Sequence, residues 1–153
     1  MTDLLIVVAA KYLIAVPVLV LLAYFVFSRG KIVRQLAWLS LVALPVAYVL
    51  GRIAGLLYND PRPFVVGHFM PLVAHAADNG FPSDHTLFAA TIAMIVLYVD
   101  KRVGALLWLV TLIIGLARVW AGVHHATDII ASMVIAIIAV MASQYVIAFI
   151  RRK

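Results

Sequence analysis

Apolar residues run along this chain in five long blocks: Leu4 to Phe27, Ile32 to Leu57, Thr86 to Val99, Val103 to Val123 and Ala126 to Ile150. A helix needs roughly 20 residues to cross a hydrocarbon core of about 30 Å, and every block but the third meets that length. The third is short, and its flanks are expected to complete it. The first lacks the basic start and small-residue cleavage site of a signal peptide, and its apolar stretch is too long for one, so it reads as a mature span. The pattern predicts an all-α integral membrane bundle of about five transmembrane helices, organised as one domain over residues 1–153.

The links between the blocks are unequal. Ser28 to Lys31 and Asp100 to Arg102 are short turns. Tyr58 to His85, between the second and third helices, is the long loop, and it holds four prolines, three of the six acids and three of the five histidines.

Composition strengthens the membrane reading, since 67% of residues are hydrophobic, 12% are charged and the mean hydropathy is +1.16. Soluble proteins carry about 25% charged residues, and a soluble domain this small has no means of hiding so much apolar surface. The chain has no cysteine, which excludes a disulfide framework and a cysteine-based zinc or redox site. All six acids are aspartate. Solvated helical faces normally use glutamate, so these aspartates point to caps, turns or a site.

A net charge of +6 would suggest nucleic acid as the partner of a soluble protein. In a membrane protein the placement of the cations carries the meaning, and no nucleic-acid partner is expected. Five spans put Arg29, Lys31, Arg34, Lys101, Arg102, Arg151, Arg152 and Lys153, eight of the twelve cationic residues, on the side of the short turns. Lys11, Arg52, Arg62 and Arg118 lie at or near the opposite face. Positive flanks are retained in the cytoplasm, so the long loop is expected to be extracytoplasmic, facing the periplasm or exterior of a bacterial cytoplasmic (inner) membrane.

The same topology gathers three distant polar clusters on the outward face: Pro61-Arg62-Pro63-Phe64, Phe81-Pro82-Ser83-Asp84-His85, and the stretch from Arg118 to Asp128. Ionisable groups in or near a membrane are costly and mark function by default. In the third cluster Gly122 is placed to break the fourth span, and His124 and Asp128 sit four apart, on one face of a helix beginning there. A carboxylate beside an imidazole sets its tautomer and turns the other nitrogen into a positioned nucleophile or base. Arg118 offers a planar cation to an oxyanion. The competing structural reading makes Arg118 and Asp128 a buried ion pair and His124 a satisfied interior histidine.

Ser83 is a good N-cap for a helix starting at Asp84, whose backbone N–H groups and dipole end then suit an anion. His85, in its first turn, is placed to give a proton to a leaving oxygen. Arg62 is held rigidly between two prolines. Taken together, two guanidiniums, a helix end, a hydroxyl, two imidazoles and an acid suit a phosphoryl group, with no metal and no cofactor among the expected parts.

These residues resemble the type 2 phosphatidic acid phosphatase superfamily, whose signature reads Lys-x6-Arg-Pro, Pro-Ser-Gly-His and Ser-Arg-x5-His-x3-Asp. Arg62-Pro63, Pro82-Ser83-x-His85 and Arg118-x5-His124-x3-Asp128 match it in order and spacing, within residues 52–128. The resemblance implies a metal-independent lipid phosphatase. In it His124 attacks phosphorus, Asp128 orients His124, His85 protonates the leaving group, and Arg62, Arg118 and Ser83 hold the phosphoryl oxygens. Three positions depart from the signature: Gly55 stands where it has lysine, Asp84 where it has glycine and Ala117 where it has serine. Arg52, one turn before Gly55, is the expected substitute for the lysine, with Lys11 as a weaker one that more readily snorkels to the interface.

Pro-Ser-Asp-His together with Pro-Arg-Pro-Phe is similar to the bacitracin-resistance type of undecaprenyl pyrophosphate phosphatase. That resemblance implies a lipid pyrophosphate substrate and a place in carrier recycling. Phosphatidate, phosphatidylglycerophosphate or lipid A phosphatases are the alternatives within the class, and a non-enzymatic transporter or anion-binding membrane protein is the alternative outside it. His68, His75 and His125 are left outside the expected site, and the sequence sets no oligomeric state. Five spans with the charges so placed predict that a reporter fused after Lys153 reads as cytoplasmic; an external reading overturns the orientation.

Overall fold

The computed structural model describes residues 1–150, and all regular structure among them is helical: α1 Thr2–Tyr12, α2 Ala15–Phe27, α3 Lys31–Leu57, α4 Pro63–Val66, α5 Asp84–Leu97, α6 Lys101–Trp120 and α7 Ala126–Ile150. Arg151, Arg152 and Lys153, which enter the charge argument above, lie outside the described residues. An all-α integral membrane bundle is what the apolar blocks predicted. Helices α3, α6 and α7 are long and apolar enough to cross a membrane, and the bent pair α1–α2 makes a fourth candidate span.

Two details differ from the expectation of five simple spans. The first block is broken, with α1 and α2 meeting at 41°. Pro17 explains the break: it has no N–H to give to the Leu13 carbonyl, and its ring crowds that carbonyl. Leu13 accepts instead from Val16 N at 3.0 Å, a tighter turn.

The third block forms α5, whose 14 residues measure about 21 Å, short of the hydrocarbon thickness. Its flanks do not complete it. Pro82 and Ser83 precede it, and beyond Leu97 the chain turns into Asp100, whose carboxylate caps α6 by accepting from Arg102 N and Val103 N, both at 3.0 Å. The helix tolerates its shortness because protein encloses it. Nine of its 14 residues are buried, and it packs against α2, α3, α6 and α7.

Small residues set how closely the helices approach, as expected where the bilayer offers no hydrophobic drive between them. Ala89, Ala90 and Ala93 of α5 are fully buried. Gly104 of α6 lies directly on the backbone of Leu97, so that a methyl group there would overlap Leu97 Cα and sit 2.6 Å from Leu97 N. The main core, with Leu36, Leu39, Ile92, Ile95, Val96, Leu107 and Val140, joins α3, α5, α6 and α7. A smaller cluster of Ala10, Val73, Ala117, Ala121 and Val123 ties α1 and the long loop to the end of α6.

The long loop folds back on itself and onto the bundle. Pro61 and Asn79 pair in antiparallel fashion, and Gly80 N donates to Asp60 O at 2.9 Å. The Asn79 side chain uses its whole hydrogen-bonding capacity here. Nδ2 donates to Gly55 O at 2.8 Å and Tyr58 O at 3.0 Å, and Oδ1 accepts from Asp60 N and Phe81 N, both at 2.9 Å. The carbonyls of Ala121 and Gly122, freed where α6 ends, accept from Leu72 N and Phe64 N at 3.0 and 3.2 Å. The loop thereby fixes the first and second polar clusters against the third. Because the Gly104 contact is to backbone, which cannot step aside, Gly104→Ala is expected to lower stability in detergent by about 1–3 kcal/mol; an unchanged unfolding midpoint would show that the α5–α6 contact is looser than described.

Candidate active site

The third cluster is built by the change from α6 to α7. Gly122 adopts φ 76°, the left-handed region that favours glycine, and reverses the chain after Trp120. A side chain there would also strike the Phe69 ring of the loop. His124 follows in the turn, and Asp128 lies in the first turn of α7. Asp128 Oδ2 accepts from His125 N at 2.9 Å, reaching back to the residue before the helix in the manner of a capping box. The same oxygen lies 3.2 Å from His124 Nδ1. The carboxylate is therefore fixed by its own backbone before it orients the imidazole.

The other ring nitrogen faces two cations. His124 Nε2 is 3.4 Å from Arg62 Nη1 and 3.3 Å from Arg118 Nη2. Guanidinium N–H groups only donate, so Nε2 must carry its lone pair and the proton sits on Nδ1, given to Asp128. Burial holds the His124 pKa below the ordinary 6.5; Arg118 and Arg62 push the same way, and hydrogen bonding to Asp128 opposes them. The imidazole is neutral, with its free lone pair aimed between two positive groups.

Arg62 is 5% exposed and Arg118 2%, so each must be satisfied by protein. Arg62 Nη1 donates to Val123 O at 2.9 Å, Nη2 to Asn79 O at 3.4 Å, and Nε to Asp78 Oδ1 at 2.8 Å. That hydrogen bond keeps the Asp78 carboxyl below the usual carboxylate range. Arg118 reaches Ala10 O of α1 at 3.5 Å, and its Nε is buried without a partner. The structural alternative of an Arg118–Asp128 ion pair is not what forms, because the His124 ring stands between them.

Around this cluster lies a cavity of about 450 Å³, lined by Arg52, Arg62, Arg118, His85 and His124, with Gly51, Gly55 and Leu56 of α3 and Asp78, Asn79, Phe81 and Pro82 of the loop. Of the expected site residues, His124, Asp128, Arg62, Arg118, His85 and Arg52 are thus brought together. Ser83 sits at the N-cap of α5 as anticipated, but it is fully buried beside the cavity and does not line it. Its hydroxyl accepts from Thr86 Oγ1 at 3.2 Å instead of capping a backbone N–H. Lys11 is exposed on α1 and does not line the cavity, whereas Arg52 does. Asp84, exposed at the mouth, lines both this cavity and an adjoining groove.

That groove has a volume of about 370 Å³ and is mainly apolar, with Ile14, Leu44, Ala47, Tyr48, Leu87 and Phe88 among its walls. It shares His85 and Asp84 with the polar cavity.

Four contributors escape a motif reading. His75, set aside in the sequence, lines the cavity with its ring centroid 6.2 Å from that of His124. Burial, followed by Arg62, Arg118 and His124, lowers its pKa. Asp78 and Asn79 hold Arg62, and Ser132 Oγ donates to Asp128 O at 2.7 Å and Ser83 O at 3.0 Å, joining α7 to the start of α5. His75, Asp78 and Asn79 lie at no regular spacing from their partners, so only the folded loop reveals them, and the bond from Ser132 to Ser83 O depends on α7 packing against the start of α5. His125, left outside the expected site, has Nε2 3.1 Å from Pro61 O.

The tautomer is open to direct test. Ring-nitrogen NMR of the protein is expected to show His124 neutral and protonated on Nδ1 at pH 6.5, where a free imidazole is half charged. In Asp128→Asn that Nδ1 preference is expected to weaken. A charged His124 at pH 6.5 in the wild type contradicts the arrangement.

Residues 35–152 match the PAP2 superfamily. Undecaprenyl-diphosphatase BcrC of Bacillus subtilis is 33% identical over 89% of this chain and 70% of its own length. Bacitracin transport permease protein BcrC of Bacillus licheniformis is 29% identical over 86% of this chain and 65% of its own. The crystal structure of Aquifex aeolicus LpxE superposes with a TM-score of 0.76 at 29% identity, over 94% of this chain and 86% of that one. With its family match running from α3 to the end of α7 and enclosing every residue around His124, the chain belongs to the PAP2 superfamily.

Proposed function

We propose that this membrane phosphatase hydrolyses a lipid diphosphate, undecaprenyl diphosphate to undecaprenyl phosphate, at the outward face of a bacterial cytoplasmic membrane. The observation that carries the reading is the neutral His124, its Nε2 lone pair held between Arg62 and Arg118. An electron pair between two guanidiniums suits attack on an anionic phosphorus, because the cations take up the equatorial oxygens as charge redistributes.

In the proposed reaction Nε2 attacks the terminal phosphorus, the bridging P–O bond breaks, and a phosphohistidine forms with its positive charge balanced by Asp128. His85, at the junction of cavity and groove, protonates the leaving oxygen and then takes a proton from the water that frees His124 and releases phosphate. Arg62 and Arg118 bind the phosphoryl oxygens. Ser83, whose own proton remains free to donate while its oxygen accepts from Thr86, stands beside them. The apolar groove receives the start of the tail. Since His85 borders both spaces, a tail in the groove brings the bond to be broken next to the acid.

The name of the Bacillus subtilis relative supports a lipid diphosphate substrate, and the charge placement supports the outward orientation. The name of the Bacillus licheniformis relative raises transport as a second reading. A pore needs polar groups along the spans. The buried hydroxyls of Thr91, Thr111 and Ser143 instead bond carbonyls of their own helices, at 2.7, 2.8 and 2.7 Å. The ionisable cluster lies at one end of the bundle, which favours hydrolysis over passage.

Purified protein is expected to release phosphate from undecaprenyl diphosphate more readily than from phosphatidate or phosphatidylglycerophosphate, with a chelator present. His124→Ala is expected to lose more than about a thousandfold of this activity and the acid-labile phosphoprotein with it. His85→Ala is expected to lose about 100- to 10,000-fold. Turnover that survives His124→Ala excludes the nucleophile, and loss on chelation excludes the metal-free course.

A further inference from the structure

We infer that Arg52 and His75 form a second phosphoryl subsite, which makes this a site for diphosphate esters in preference to monophosphate esters. The inference rests on the proposed hydrolysis and assigns residues to the half of the head group that is not transferred.

The buried end of the cavity can serve one phosphoryl group. Arg62 donates to Asp78, Val123 O, Asn79 O and His124, and Arg118 to Ala10 O and His124, so both are anchored beside Nε2 with only part of their donors left over. Both are drawn to the point where Nε2 attacks. A phosphoryl with its three oxygens displaces on the order of three waters, about 90 Å³ at about 30 Å³ each. The cavity offers about 450 Å³.

The polar groups on the rest of its wall can be accounted for in turn. The Asn79 side chain has no hydrogen-bonding capacity left and Asp78 is paired with Arg62, Asp84 is a carboxylate and offers an anion no donor, and His85 has the proposed role of acid to the leaving oxygen. Arg52 and His75 remain. Neither has a hydrogen bond or ion pair to the protein, and they stand on different walls, α3 and the loop. Both are exposed to solvent as well as to the cavity, so a group that enters the cavity meets both. The His75 ring stands edge-on to His124 at a 6.2 Å centroid separation, on the loop wall of the cavity. The His75 imidazole carries an N–H in either protonation state and so has a donor to offer.

The chemistry explains the preference. With a diphosphate ester, the Nε2–P bond forms, the bond from the terminal phosphorus to the bridging oxygen breaks, and the electron pair stays on that oxygen. It becomes part of the departing lipid monophosphate. Arg52, as a planar fork of donors, and the His75 N–H stabilise the charge gathering there. A monophosphate ester has no second phosphoryl, and the two residues then have nothing to hold.

Rates of phosphate release from a polyprenyl diphosphate and from the monophosphate of the same chain distinguish the outcomes. Arg52→Ala and His75→Ala are each expected to lower kcat/KM for the diphosphate by about 10- to 100-fold, the range for a lost hydrogen bond to a charged group. The fall for the monophosphate is expected to be several-fold smaller, unchanged unfolding midpoints show that the variants fold, and His75→Gln, which keeps a donor, is expected to recover part of the loss. Methylene diphosphonate is expected to inhibit the wild type more strongly than methylphosphonate, with the difference lost in Arg52→Ala. An equal fall on both substrates overturns the subsite, since the residues then act on the transferred phosphoryl or on the structure; no fall on either also overturns it. Wild-type protein that hydrolyses neither substrate overturns the proposed function itself, a result that no variant is needed to recognise.

Discussion

Two guanidiniums pointed at one imidazole nitrogen form the contact on which the rest of this protein depends. Arg62 and Arg118 reach Nε2 of His124 at 3.4 and 3.3 Å, and neither can accept a proton. The imidazole must therefore be neutral and must hold its proton on Nδ1, which in turn needs a fixed acceptor. Asp128 is that acceptor, locked by the backbone of His125. The tautomer, the charge and the direction of the lone pair thus follow from one buried triad, and the cavity beside it is left electropositive.

Holding two buried cations in a hydrophobic protein requires acceptors that cost little charge. The bundle supplies them mainly from its backbone: Val123 O and Asn79 O for Arg62, and Ala10 O for Arg118. The carboxylate that pairs with Arg62 belongs to Asp78, whose side chain is 61% exposed, so the solvated loop carries the compensating charge. The membrane body remains apolar, and the loop, the end of α6 and the start of α7 share the polar work. The short α5 suits the same division. Enclosed by other helices, it need not span the bilayer, and its first turn can serve the site.

One departure from the family signature, Gly55, has a steric reason. At Gly55 a Cβ would stand 2.8 Å from the Phe81 carbonyl, and Gly55 O is held by Asn79. The loop has closed over the position where the signature places lysine, so a side chain there would push away the segment leading to Ser83 and His85. Arg52, one turn earlier, is free of that contact and lines the cavity. Asp84 makes no hydrogen bond to the cationic cluster; it sits exposed where the polar cavity meets the apolar groove.

Hydropathy along the chain was enough to determine the class of protein and the location of its long helices, because a bilayer imposes a length and an apolarity that local sequence must meet. Motif spacing likewise determined the pairing of His124 with Asp128 and the convergence of Arg62, His85 and Arg118, since helix periodicity and topology restrict where such residues point. The break at Leu13–Ile14 and the shortness of α5 depended on Pro17 and on burial by neighbouring helices, neither of which a hydropathy window registers. The burial of Ser83, the exclusion of Lys11, and the entry of His75, Asp78 and Asn79 were decided only by the tertiary structure. They are set by how a loop with no repeating period closes on itself and on three carbonyls of a helix turn, and such contacts join residues whose separation in the sequence carries no signal.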